Sequence, residues 1–363
     1  MKWPAHGSNP QYLYEAMEVT IPDNKVDFSA NINPLGPPPL LKKNWHQLME
    51  VISDYPDPKG ERLKQKLAER EGISKDQILI GNGGAELISL LGRMLAGKKI
   101  LIVQPAFSEY EEACQINGCT IDYHQLEPDR WEWEEDGFLA KLQKADALFF
   151  CNPSNPTGVF YDQAFVSHLL QVCEENNCLI IIDEAFYDFL IEYESIVPYI
   201  EKCSQLVIIR SMTKMFAIPG LRLGYVMAHP SIIEQMSALQ PHWSINALAL
   251  KAGEWCLESK TYIDETRKLI QSERARLFTF YKEWNFQVSP SQINFYLLKD
   301  PSLKDQLPLF QFLIVRGIIP RHTMNFRGLE GGWLRFAIKG PEDNDQLMEA
   351  MTEWRKTSRL SSL

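Results

Sequence analysis

Leu206-Val-Ile-Ile-Arg-Ser211-Met-Thr213-Lys214-Met-Phe-Ala-Ile-Pro-Gly220-Leu-Arg222-Leu-Gly-Tyr225 joins an apolar run to a hydroxyl-rich turn that carries a single lysine before Met215. Residues 206–209 fit a strand buried on both faces, and Arg222 follows the lysine by eight residues. A lysine held in packed surroundings sheds its proton more readily and can attack an aldehyde. The hydroxyls of Ser211 and Thr213 and the guanidinium of Arg222 are suited to hold a phosphate dianion beside it. An ordinary loop with a solvated lysine is the plain alternative, and the rest of the chain has to decide between the two.

Cys178-Leu-Ile-Ile-Ile-Asp183-Glu184-Ala-Phe186 is a second apolar run, this one ending in a carboxylate. A buried acid needs a cationic partner, because an unpaired buried charge is expensive. Asp183 as a helix cap is the simpler reading, but a strand-end acid about thirty residues ahead of the turn lysine argues for a shared ligand. Aldehyde, phosphate and a protonated ring nitrogen are together the handles of pyridoxal 5'-phosphate. An aspartate against that nitrogen keeps the ring an electron sink.

Two further strand-to-turn segments complete the set. Ile78-Leu-Ile-Gly81-Asn-Gly83-Gly84-Ala85-Glu86 reads as strand, glycine turn and a helix through Leu95, whose first N–H groups and dipole favour an anion. It is not a dinucleotide fingerprint, since Glu86 stands where the last glycine would be needed. Cys151-Asn152-Pro-Ser-Asn155-Pro-Thr-Gly158 follows an apolar run at 147–150, and Asn155 can donate a hydrogen bond to a phenolate oxygen. Strand-like runs at 78–80, 100–103, 147–150, 179–182 and 206–209 alternate with helical ones, which predicts a mainly parallel sheet covered by helices on both faces. All these motifs fall at the C-terminal ends of strands, where open α/β sheets bind ligands. Residues 259–282 predict a long helix leading into an α+β part with strands at 294–298 and 333–338.

In this order, Gly81 to Glu86, Pro105-Ala-Phe107-Ser-Glu-Tyr110, Asn152 to Gly158, Asp183 to Phe186, Ser211 to Lys214 and Arg222 resemble the fold-type I pyridoxal-phosphate enzymes over nearly the whole chain. The similarity is strongest to the branch holding histidinol-phosphate aminotransferase and threonine-phosphate decarboxylase. His6-Gly7-Ser-Asn9, Asp27-Phe-Ser-Ala-Asn31-Ile-Asn33-Pro-Leu-Gly-Pro-Pro38 and His242-Trp-Ser-Ile-Asn-Ala247 are similar to the decarboxylases. The resemblance implies decarboxylation of O-phospho-L-threonine to aminopropanol phosphate for cobalamin biosynthesis, with histidinol-phosphate aminotransfer as the alternative. It implies that Lys214 binds the cofactor aldehyde, Asp183 the ring nitrogen and Asn155 the phenolate oxygen, with Phe107 stacked on the ring. It gives the cofactor phosphate to Gly84, Ala85, Ser211, Thr213 and Arg222, with Tyr55 reaching it across a homodimer. It assigns substrate contacts to His6, Gly7, Asn31, Asn155, Arg321 and Arg335. Where many relatives carry tyrosine, this chain has Phe186. The displaced Tyr187 is expected to point elsewhere along an extended segment.

The remaining composition sets bounds. The chain has 363 residues, enough for two domains, with 45% hydrophobic and 23% charged residues. The domains are expected as an N-terminal arm over the cleft (1–36), a large cofactor-binding domain (37–250) and a small C-terminal domain (251–363). A net charge of −10 suggests no nucleic-acid partner, so a small phosphorylated amino-acid substrate must be drawn by local cations. Seven cysteines without C-x-x-C spacing fit reduced thiols in a cytoplasmic enzyme, and no metal is expected. No signal peptide, membrane span or repeat is evident, and the tail from Arg355 is expected to fray. Ser211-Met-Thr-Lys214 also spells the S-x-x-K of serine acyl enzymes, but the partner S-D-N and K-T-G elements are missing. A non-catalytic regulator of this fold would be expected to carry an added DNA-binding domain, for which the sequence shows no candidate segment.

Overall fold

The computed structural model describes residues 3–4 and 7–360. The N-terminal segment contributes β1 (Val26–Asp27). A seven-stranded sheet follows, built from β2 (Ile78–Gly81), β3 (Lys99–Gln104), β4 (Thr120–Gln125), β5 (Ala147–Cys151), β6 (Leu179–Asp183), β7 (Leu206–Ser211) and β8 (Gly224–Ala228). Their order is β2-β8-β7-β6-β5-β3-β4. The β4–β3, β3–β5, β5–β6 and β6–β7 pairs are parallel, and β8 runs antiparallel to both β7 and β2. The chain leaves β3 in one direction and β5 in the other, so the crevice above this pair is a topological switch point.

Side chains alternate across each strand and feed two cores. Phe150, Ile182 and Ile208 pack with Leu169 and Leu170 of the helix Gln163–Glu175. Phe149, Ile181 and Ile209 pack on the other face with Leu87 and Leu91 of the helix Gly83–Met94 and Tyr110 of Ser108–Ile116. Burial on both faces explains why these strands read as unbroken apolar runs. Edge strand β4 is different: Thr120-Ile-Asp-Tyr-His-Gln is mostly polar and half-exposed, which hid it from the sequence reading. β8 was also missing from that reading, and it gives the sheet its antiparallel side.

The long helix Lys260–Glu283 leads to a second sheet of β9 (Gln287–Val288), β10 (Phe295–Lys299), β12 (Arg321–His322) and β13 (Leu334–Ala337), in the order β12-β13-β10-β9. Between them, β11 (Ile318–Ile319) pairs in parallel with β1 and anchors the N-terminal segment there. Asn33 fastens the same segment to the Lys214 turn. Its N–H donates to the Lys214 carbonyl at 3.1 Å, and its side-chain amide donates to the Met215 carbonyl at 2.8 Å.

Two expectations need correction. The segment after Phe186 is not extended, because Tyr187–Phe189 forms a 3-10 turn. The Tyr187 ring is buried with the Arg210 guanidinium 3.6 Å from its centroid. Nor does the chain fray at Arg355, although residues 361–363 of the expected tail fall outside the described residues. The helix Pro341–Leu360 continues past it with Leu347 and Met351 fully buried, and Arg355 pairs with Asp300 at 2.7 Å while donating to the Trp284 and Asn285 carbonyls. Among the described residues, no helix is long and apolar enough to cross a membrane.

Candidate active site

The cavity at the switch point has a volume of about 340 Å³. β3, β5, β6 and β7 present Phe107, Asn155, Asp183 and Lys214 to it from their C-terminal ends. The helix Gly83–Met94 adds Gly84 and Ala85, the second sheet adds Arg321 and Arg335, and the N-terminal segment adds Gly7 and Asn31. The two sheets and the arm therefore close on one space.

Lys214 follows β7 in the short helix Met212–Met215 and is half-buried. Burial, with Arg335 and Arg222 nearby, pulls its pKa down to about 8 against the opposing pull of Asp183. An amine with that pKa has an accessible neutral form near neutrality, as attack on a carbonyl requires. Asp183 is pushed the other way by burial, while a Tyr110 hydrogen bond, the Ala185 N–H and Lys214 favour its anion. Its Oδ2 accepts from the Tyr110 hydroxyl at 2.6 Å and its Oδ1 from the Ala185 N–H at 2.9 Å. Phe107 stands just before the helix that carries Tyr110, with the two rings edge to face at 6.0 Å.

The same cavity offers groups suited to an anion. The 12-residue helix Gly83–Met94 directs its first N–H groups there, where the dipole favours negative charge. Gly83 has φ +77°, and a Cβ on it would stand 2.6 Å from Arg222 Nη2, so the close approach of Arg222 to the helix start requires glycine. Ser211 Oγ and Thr213 Oγ1 lie 2.8 Å apart on the same wall. The Lys214 amine, the buried Asp183 carboxylate, and the helix start with Ser211, Thr213 and Arg222 line one cavity and match in kind the aldehyde, ring nitrogen and phosphate of pyridoxal phosphate.

Arg321 and Arg335 are direct partners in the antiparallel pair β12–β13, which places both on the cavity face. Burial lowers the Arg321 pKa to about 10, and burial with Arg321 as neighbour lowers that of Arg335 to about 9. Arg335 donates through Nη1 to Asn155 Oδ1 at 2.5 Å and through Nη2 to the Ser29 carbonyl at 2.9 Å. Arg321 donates to Asn325 Oδ1 at 2.7 Å and contacts His322 Nε2 at 2.6 Å. Asn31 Oδ1 and Arg335 Nε are buried with no partner among the described residues, so an acceptor and a donor remain for a ligand. Gly7 packs so closely that a Cβ would stand 2.8 Å from the Ser29 carbonyl oxygen.

His6 falls outside the described residues. Tyr55 lies outside this cavity, 84% exposed, with its ring 5.2 Å from that of Trp243. Tyr110, Cys151, Phe186, Asn325 and Phe326 also line the cavity, without a role in the sequence reading. Only Tyr110 had a legible signal, standing one helical turn after Phe107 at the start of a helix.

Fold and cavity together define a pyridoxal-phosphate-dependent enzyme of fold-type I. The chain belongs to the aminotransferase class I and II family, whose model matches residues 23–351. It is 33% identical to the threonine-phosphate decarboxylase of Salmonella typhimurium over 350 residues, covering 96% of this chain and 95% of the relative. The crystal structure of histidinol-phosphate aminotransferase from Clostridium acetobutylicum superposes with a TM-score of 0.85 at 32% identity, over 91% of this chain and 99% of that one. L-threonine-O-3-phosphate decarboxylase from Porphyromonas gingivalis superposes with a TM-score of 0.81 at 25% identity, over the same shares.

Proposed function

We propose that this enzyme decarboxylates O-phospho-L-threonine, yielding aminopropanol phosphate for cobalamin biosynthesis. The observation that carries the reading is the cross-strand pair Arg321–Arg335 facing the cavity beyond the lysine. Like charges directly opposite are destabilising, and a ligand with two anionic groups offsets that cost. Phosphothreonine brings both a carboxylate and a phosphate; histidinol phosphate brings a phosphate alone, although its co-substrate 2-oxoglutarate brings two carboxylates. The relatives named threonine-phosphate decarboxylase support the same reading.

In this reading, Lys214 holds the cofactor aldehyde, Asp183 the ring nitrogen, Asn155 the phenolate oxygen, and Phe107 covers the ring. Gly84 and Ala85 N–H groups, Ser211, Thr213 and Arg222 hold the cofactor phosphate. Bound pyridoxal phosphate supplies an electron sink for the pair released when a bond to the substrate Cα breaks. How the substrate is oriented against the bound ring would decide which Cα bond breaks. The chain selects it by gripping both substrate anions, with Arg335 and Arg321 dividing carboxylate and phosphate and Asn31, Gly7 and His6 closing the N-terminal side. Lys214, lining the same cavity, would be the group that returns a proton to Cα.

We further assign residues 1–36 to an arm, 37–250 to the large domain and 251–363 to the small one. The active unit in this proposal is a homodimer. Trp45, Met49, Ile52, Tyr55 and Trp243 are exposed, which is unusual for large apolar side chains and suits a subunit interface that would carry Tyr55 to a partner's cofactor phosphate. Seven free thiols suit the cytoplasm.

One assay decides the reaction type. The holoenzyme should release carbon dioxide from O-phospho-L-threonine and make little glutamate from histidinol phosphate with 2-oxoglutarate. Faster glutamate formation would replace decarboxylation by transamination.

A further inference from the structure

Asp183 has two oxygens and two protein donors, and only one of the donors is a side chain. The Tyr110 hydroxyl reaches Oδ2 at 2.6 Å with both residues buried. The Tyr110 ring is clamped in place, stacked on Phe149 at 5.2 Å and packed edge to face against Phe107. The clamped ring holds the phenol oxygen beside Asp183; its hydroxyl hydrogen can rotate, and the Cys151 thiol also lies within reach of the phenol.

We propose that Tyr110 is a positioning residue that keeps Asp183 ionised and aimed at the cofactor ring nitrogen. The inference rests on the cofactor, and is independent of which substrate the enzyme takes. A carboxylate and a pyridinium buried together can collapse into a neutral pair by moving one proton from nitrogen to oxygen. A neutral ring is a poor electron sink. A hydrogen bond donated to the carboxylate favours the ionic pair, because it is stronger to an anion than to a neutral acid. The Ala185 N–H does the same from the backbone, and of side-chain substitutions only proline would remove it. The groups facing Asp183 are Tyr110 from the helix Ser108–Ile116, the Cys151 thiol at the end of β5 and Lys214 after β7. Glu184 lies on the opposite face, paired with Arg210.

The test is Tyr110→Phe, which removes one oxygen and keeps the ring that packs on Phe149. Cofactor affinity is measured from pH 6 to 9 on wild type and variant, each also in an Asp183→Asn background. Loss of the donor raises the Asp183 pKa, so the acid-side weakening of affinity should begin at higher pH. The expected result is roughly tenfold weaker binding near pH 6 and little change near pH 9, with a kcat about tenfold lower, as one lost charge-assisted bond implies. In the Asp183→Asn background the pH-dependent part of the Tyr110→Phe effect should vanish, since no carboxylate is left to ionise, although the amide oxygen can still accept from the phenol. Equal loss at every pH, or the same loss in both backgrounds, would reduce Tyr110 to a packing residue and overturn the proposal. Should Tyr110→Phe fail to fold, 3-fluorotyrosine at position 110 gives the converse reading. The more acidic phenol should move the acid limb to lower pH, and an unmoved limb would also overturn the proposal.

Discussion

Arg335 Nη1 and Asn155 Oδ1 meet at 2.5 Å, joining the second sheet to the turn after β5. An arginine has donors only, so the atom that faces it must be the amide oxygen, and this fixes the orientation of Asn155. The Asn155 NH2 group is then free to donate toward the cofactor phenolate oxygen. In the proposed site, this one side chain would couple Arg335 to the cofactor ring. Asn155→Asp would keep the Arg335 contact and lose the donor, while tying the guanidinium into an ion pair. Steady-state kinetics should show KM raised and kcat lowered together. A change in KM alone would mean that Asn155 does not reach the ring.

Replacing Arg335 by alanine should lower kcat/KM by roughly one to two orders of magnitude, the scale of a charge-assisted contact. Arg335→Lys should recover little, because a compact ammonium cannot reproduce the planar fork that reaches Asn155 and the Ser29 carbonyl while presenting donors to a carboxylate. An activity close to wild type in the alanine variant would remove Arg335 from substrate binding.

Lys214 carries a pH signature in the cofactor-free protein. Its folded pKa is lowered to about 8 from 10.5, chiefly by burial. Between those values the unfolded chain binds more protons than the folded one, so this lysine's contribution to stability rises with pH across about 8 to 10.5. Below that window its burial is a net cost. Lys214→Met should therefore raise the apoprotein Tm at pH 7, and the advantage should shrink as pH climbs through the window. The holoenzyme variant should lose the absorbance of lysine-bound cofactor and stay folded. A reductively trapped adduct on another lysine would displace Lys214 from its role.

The chemistry-bearing ends of β3, β5, β6 and β7 were legible because each follows an apolar run buried on both faces. What the sequence concealed were contacts between residues far apart in the chain. Tyr110 to Asp183 spans 73 positions and Asn155 to Arg335 spans 180, and no local pattern announces either. Edge strand β4 was lost for the opposite reason, since half-exposed strands carry polar residues that read as loop. Fraying at Arg355 was inferred from a polar tail, whereas the buried Leu347–Met351 stripe fixes the helix and Asp300 takes the arginine.

Phe186 lines the cavity beside Asp183, its ring edge-on to Phe295 at 4.8 Å. A tyrosine there would offer a phenol to the cofactor phenolate oxygen that the native chain does not supply from this position. Phe186→Tyr should move the pH-dependent absorbance shift of the lysine-bound cofactor to lower pH. An unchanged titration would show that another donor already satisfies that oxygen.

The far side of the sheet holds the last prediction. Arg210 is fully buried, donating to Glu184 at 2.9 Å, Glu71 at 2.5 Å and the Tyr193 hydroxyl at 3.1 Å. Tyr225 and Tyr193 satisfy the remaining oxygens of Glu71 and Glu184. Because side chains alternate along a strand, Glu184 faces away from the cavity while Asp183 faces it, and Arg210 does so beside Ser211. The ion pair thus ties together the two strand ends that carry the cofactor contacts. Removing one member of a buried pair leaves the other charge uncompensated, at about 3–5 kcal/mol. Arg210→Met should therefore lower Tm sharply and weaken cofactor retention. The triple variant Arg210→Met, Glu184→Gln, Glu71→Gln should recover much of the stability, since no unpaired charge remains. If the triple variant proves as unstable as the single one, packing rather than charge is what Arg210 supplies.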